Sequence, residues 1–176
     1  MTTRPIAKPA SHQHPAWSSV YIDKLPDDGQ VLDHLASGLE DLLQTIEPLT
    51  EEKLLYRYDE GKWTIKEVLV HLMDAERVFT YRGLRCSRHD KTPMPGFDHN
   101  AYVPVSGANE RDIKGIIAEY RALRAATIAF FSHLTDEALD EVGEASTLAS
   151  SGRAMVYMIA GHERHHLQII KERYLG

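Results

Sequence analysis

The sequence predicts an all-α protein, a four-helix bundle with a long crossover connection between its second and third helices. Three observations carry this. Four segments repeat apolar residues at helical spacing, no segment competes with a strand period, and a stretch rich in proline and polar residues separates the middle pair of helices. A chain of 176 residues, 43% hydrophobic and 26% charged, can bury one sizeable core but is short for two. The expected organisation is therefore a flexible arm over residues 1–20, where Pro5, Pro9 and Pro15 interrupt a stretch without period, followed by one bundle domain over 21–176.

The first bundle helix is predicted over 30–46. Val31, Leu32, Leu35, Leu39, Leu42, Leu43 and Ile46 form its apolar stripe, Asp27 and Asp28 lie near its start, and Pro48 stands just past its end. The second begins at Thr64, where Thr64-Ile65-Lys66-Glu67 fits a capping box, and carries Ile65, Val68, Leu69, Leu72, Ala75 and Phe79 on one face to about Cys86. Between Arg88 and Ala108, Pro93, Pro95, Gly96, Pro104 and Gly107 break any period, and residues 101–105 are open to a locally extended form. Asn109 is the expected cap of a third helix, with Ile113, Ile116, Ile117, Tyr120, Leu123, Thr127 and Phe131 inward, ending near His133. Residues 136–140 suit one extra turn. Ser150 or Ser151 can cap a fourth helix over 153–174.

Composition excludes several functions. The net charge of -6 and the absence of a dense Lys/Arg run argue against a nucleic-acid partner. The single cysteine, Cys86, cannot form an internal disulfide, and its place on the apolar side of its helix favours core packing over a nucleophilic role. No apolar run approaches the roughly 20 residues needed to span a bilayer, so no membrane partner is expected and a cytoplasmic location is the simplest reading. No glycine-rich phosphate loop or Ser/His/Asp arrangement stands out.

The chemistry concentrates in histidines. The fourth helix contains Gly161-His162-Glu163-Arg164-His165-His166. At about 100° per residue, His166 lies about 40° from His162 and within the arc of Met155, Met158, Ile159, Ile169 and Ile170, whereas His165 falls at the edge of that arc. His162 and His166 are therefore the inward pair, about 6 Å apart along the axis, a spacing at which two imidazoles can converge on one ion. His71 lies near the margin of the apolar face of the second helix and is the natural third ligand. Three neutral imidazoles suit a divalent transition metal, zinc or nickel foremost with iron or copper as alternatives, better than magnesium or calcium. Packed or solvated histidines are the other reading, and spacing alone leaves it open.

The same residues resemble a known family. Gly61-Lys62-Trp63-Thr64 leading into the second helix, His71-Leu72-Met73-Asp74-Ala75-Glu76, and His162-Glu163-Arg164-His165-His166 followed by Gln168-Ile169 are similar to the DinB/YfiT-like superfamily of four-helix metalloproteins, from the first helix onward. The resemblance implies metal ligation by a histidine of helix two and two of helix four, which correspond here to His71, His162 and His166. It also implies either a metal-dependent hydrolase or a thiol S-transferase or isomerase using a low-molecular-weight thiol, without selecting among them. An ion with an open position can lower the pKa of a bound water or thiol and supply a nucleophile at neutral pH. The alternative class is a non-catalytic metal or small-ligand binding protein.

Four further residues are candidates around the site. Asp74 lies on the His71 side of its helix and could orient that imidazole. Glu163, inside the apolar arc, is either a base near the metal or the buried partner of an arginine, the ion pair being favoured. Arg82, three turns beyond His71 on nearly the same face, could reach an anionic substrate. His99, in Phe97-Asp98-His99-Asn100-Ala101-Tyr102, could help close a pocket mouth or add a fourth ligand. Trp17 and Trp63 read as packing anchors. A homodimer through an exposed apolar helix face and a small-molecule substrate complete the expectations.

Overall fold

The computed structural model describes residues 4–146 and 148–176. It contains α1 (Ser19–Ile22), α2 (Val31–Ile46), α3 (Glu51–Leu54), α4 (Ile65–Ser87), α5 (His99–Tyr102), α6 (Ile113–Ser132), α7 (Asp136–Asp140), β1 (Val142–Ala145), β2 (Leu148–Ser151) and α8 (Gly152–Ile169). The long helices α2, α4, α6 and α8 make the bundle that the periodicity predicts. α2 and α4 each pack chiefly against α6 and α8, so the successive helices α2 and α4 face each other across a diagonal. Two apolar clusters fill the interior. One joins Val31, Leu32 and Leu35 to Phe79, Phe131 and Met155; the other joins Leu39, Leu42, Leu43 and Ile46 to Leu69, Ile116 and Ile170.

The helix starts follow local chemistry. Thr64 Oγ1 accepts from the Glu67 amide and a Glu67 carboxylate oxygen accepts from the Thr64 amide, completing the capping box. Ser151 caps α8 by accepting from the Ala154 amide. At α6 the expected cap is displaced by three residues: Asp112 accepts from Gly115, and Asn109 instead bonds Thr64 and Glu67, locking the crossover onto the start of α4. The last turn of the chain, Ile170–Tyr174, widens into a π-helix, which seats Tyr174 so that its hydroxyl donates to the Trp63 carbonyl at 2.7 Å.

Three further sequence expectations need correction. The arm predicted over 1–20, whose first three residues lie outside the described ones, is packed from Arg4 onward. Ile6 is completely buried, its amide donates to Gly29, and its carbonyl accepts from Tyr157. One aliphatic side chain and two backbone bonds tether what proline content alone made look loose. Residues 101–105 are helical, since Asp98 accepts from the Asn100 and Ala101 amides and starts α5. The hairpin of β1 and β2 is the third correction. Met94 bonds its edge through Glu144 and Ser146, so the hairpin ties the crossover loop down beside the end of α4.

Candidate metal centre

His71, His162 and His166 line one cavity with a volume of about 540 Å³. Nε2 of His162 lies 3.1 Å from Nε2 of His71 and 3.1 Å from Nε2 of His166. The three residues can each direct a nitrogen into one group whose members lie within 4.8 Å of one another. The 3.1 Å separations approach the ~3.3 Å edge of a tetrahedron built on metal–nitrogen bonds of about 2.0–2.1 Å. His71 and His162 are buried and His166 is half-buried.

Their surroundings keep these rings neutral. Burial is the main cause, with neighbouring histidines adding to it: His71 is pushed down to about 4, His166 to about 3, and His162 well below the ordinary histidine value. At neutral pH the rings therefore present lone pairs rather than competing protons, which ligation of a divalent metal requires. Packing fixes their orientation. Trp63, held next to the α4 cap, lies 4.7 Å from His71 between ring centroids, and Tyr21 meets His162 edge-on at 5.1 Å. Tyr21 comes this close because Gly161 has no side chain: a Cβ there would lie 2.1 Å from the Tyr21 carbonyl oxygen.

The other sequence candidates separate cleanly. His165 lines the cavity, 5.3 Å from His166 between ring centroids, but lies outside the nitrogen cluster. His99 is exposed on the rim with its ring 5.5 Å from His71, and it too lies outside the cluster. Asp74 turns to Arg77 at 3.5 Å and, among the described residues, makes no hydrogen bond to His71; the partner suggested for that imidazole is thus engaged elsewhere. Glu163 points away from the cavity. Arg124 donates to it at 2.7 Å and to Glu76 at 2.9 Å, the Arg124 guanidinium also reaches the Leu35 carbonyl, and Tyr120 donates its hydroxyl to Glu163 at 2.8 Å. This buried network ties α2, α4, α6 and α8 together immediately behind His162. Arg82 does reach the cavity wall.

Sequence reasoning missed the cavity roles of Trp17, on the segment read as an arm, and of Tyr21 just after it. Trp17 was visible as an aromatic anchor, but nothing in its spacing ties it to the histidines.

A profile of the DinB superfamily matches residues 34–170, a span that includes all three histidines. The chain belongs to the DinB superfamily. Among curated DinB-like relatives, a protein of Oceanobacillus iheyensis named "putative metal-dependent hydrolase" is 27% identical over 135 residues, covering 73% of this chain and 74% of its own. YfiT of Bacillus subtilis carries the same designation and is 26% identical over 150 residues, covering 81% of this chain and 80% of its own. The solved structure of YfiT, described as a "probable metal-dependent hydrolase with an unusual four-helix bundle topology", superposes with a TM-score of 0.76 at 20% identity over 83% of this chain and 85% of that one. That match establishes the shared fold.

Proposed function

We propose that this DinB superfamily protein is a metal-dependent hydrolase of small molecules, with His71, His162 and His166 holding one divalent transition metal. The observation that carries the reading is the convergence of three neutral imidazoles, two buried and one half-buried, in a cavity of about 540 Å³. The donor set fits a borderline-soft ion such as zinc or nickel, and three protein ligands leave a coordination position open. A metal so held lowers the pKa of a coordinated water or thiol and thereby supplies a nucleophile at neutral pH. The designations of the two bacterial relatives favour water over a thiol. Phe79 and Phe97 wall the cavity, limit bulk water and bind an apolar substrate body.

Elemental analysis of the native protein, repeated on His71→Ala and His166→Ala, tests the site. About one metal per chain is expected in the native protein and a large loss in each variant. Full retention by either variant overturns the ligand set. Chelator-sensitive turnover of small esters or amides supports the hydrolytic reading. Turnover only with a thiol plus an electrophile transfers the role of nucleophile to the thiol, and metal retention without turnover of either kind favours a non-catalytic binding protein.

A further inference from the structure

Four lysine or arginine side chains are buried among the described residues, and three have carboxylate partners. Arg124 pairs with Glu76 and Glu163, Arg153 with Asp136 and Asp140, and Lys66 with Glu51. Arg82 is the fourth. It is only 6% exposed, yet its contacts are neutral: one terminal nitrogen donates to the Pro95 carbonyl at 2.9 Å and to Ser146 Oγ at 3.1 Å, and the guanidinium lies 5.6 Å from the centroid of the Phe97 ring. Burial works against its charge, but a guanidinium stays protonated in proteins. A buried cation without an anion is costly unless something else supplies the anion.

The position of Arg82 says what that could be. His71, Ala75, Phe79 and Arg82 follow one another along one face of α4, and all four line the same cavity. Eleven residues at 1.5 Å each separate His71 from Arg82 by about 16 Å between Cα atoms. The cavity thus runs from three metal-ligating nitrogens, past Phe79 and Phe97, to one guanidinium whose remaining N–H groups are uncommitted to protein among the described residues. The loop and hairpin supply Pro95 and Ser146, whose oxygens hold the guanidinium in place.

Building on the proposed function, we propose that Arg82 is a carboxylate subsite, and that the substrate is a small acid with an apolar or aromatic body whose scissile bond lies toward the histidines while its carboxylate sits on Arg82. The guanidinium acts by positioning, through charge-assisted hydrogen bonds that an uncharged isostere cannot match.

Binding of 4-phenylbutanoate and of its primary amide, measured by calorimetry on the protein as purified, tests this. The acid should bind at least tenfold more tightly than the amide in the wild type and in His71→Ala, with the difference collapsing to less than about twofold in Arg82→Gln and partly retained in Arg82→Lys. Equal binding of acid and amide by the wild type overturns the proposal, as does a preference that survives in Arg82→Gln. A preference lost in His71→Ala but kept in Arg82→Gln places the carboxylate at the histidines and also overturns it. Should Arg82→Gln not fold, the side-chain Nε–H resonance of Arg82 in the wild type decides: it should shift with the acid and not with the amide, and an unmoved signal refutes the subsite. A protein that proves metal-free yet shows the Arg82-dependent preference would refute the metal reading and leave the subsite intact.

Discussion

Replacing Arg124 by methionine probes the buried crosspiece behind the candidate site. Among the described residues Arg124 is the one cation between Glu76 and Glu163, whose side chains are 1% and 2% exposed, and Tyr120 adds one neutral donor. With two carboxylates and one guanidinium the group has a net negative charge even when intact, and burial already raises the Glu163 pKa despite Arg124. Methionine keeps much of the volume but leaves two acidic groups facing each other in the core, each of which must then take up a proton or draw in water. Breaking a buried pair in this way costs about 3–5 kcal/mol. For a domain of this size each kcal/mol moves the melting temperature by roughly 2–4 °C, so a drop of about 10 °C is expected, with a matching fall in the urea midpoint. The triple replacement Arg124→Met, Glu76→Leu, Glu163→Leu removes the stranded acids as well and should recover much of that loss. A single variant that loses less than about 1 kcal/mol, or a triple variant less stable than the single one, would refute the electrostatic argument.

Acidification should weaken the metal-free fold through the histidine cluster. Because His71 titrates near 4 when folded against an ordinary value of 6.5, the unfolded chain binds the extra proton between those values, so stability is whole above about pH 6.5 and falls as the pH drops through the window. His71 alone should remove roughly 2 kcal/mol between pH 7 and pH 5, read from urea midpoints, and a loss of the same size in His71→Phe would show that other groups cause it. Glycine substitutions should split by environment. Gly161→Ala, whose Cβ would meet the Tyr21 carbonyl at 2.1 Å, should cost about 1–3 kcal/mol, whereas Gly115→Ala on α6, with nothing within 4 Å, should gain up to about 1 kcal/mol in thermal denaturation. Equal effects at the two positions would show that the close approach at Gly161 is easily relieved.

The long helices were legible because each has one exposed face. Val31 to Ile46 alternates buried leucines with exposed Asp33, Glu40 and Gln44, and a stripe of that kind can be read directly. The hairpin was not, since Val142–Ala145 and Leu148–Ser151 are four residues each, mix glycine, glutamate and serine, and gain their order from Met94 across the crossover. The N-terminal segment was misread for a related reason. Its attachment rests on Ile6 and Tyr157, 151 residues apart, and no local pattern reports a contact of that range. For the histidines, the helical wheel separated His166 from His165 because the two differ by a full 100° on a known axis. It could not place Trp17 or Tyr21, which approach from a segment whose course depends on tertiary contacts.

The helix α8 explains why polar residues mark this site so sharply. Every residue from Gly152 to Glu163 is buried, so the helix has no solvent face in that stretch on which a polar side chain could be satisfied by water. Each polar group there must find a partner in the protein or serve a ligand. Arg153 is met by Asp140, Tyr157 by the Ile6 carbonyl, and Glu163 by Arg124 and Tyr120. His162 is the exception, because its polar contacts are with His71 and His166, two more rings of the same kind. On α4, Arg82 is the buried cation whose acceptors, the Pro95 carbonyl and Ser146, are both neutral. Setting aside the polar residues that a counter-charge or another protein group already meets leaves the histidines and Arg82 lining one cavity, where in the proposed reading a metal ion would meet the first and the carboxylate of a substrate the second.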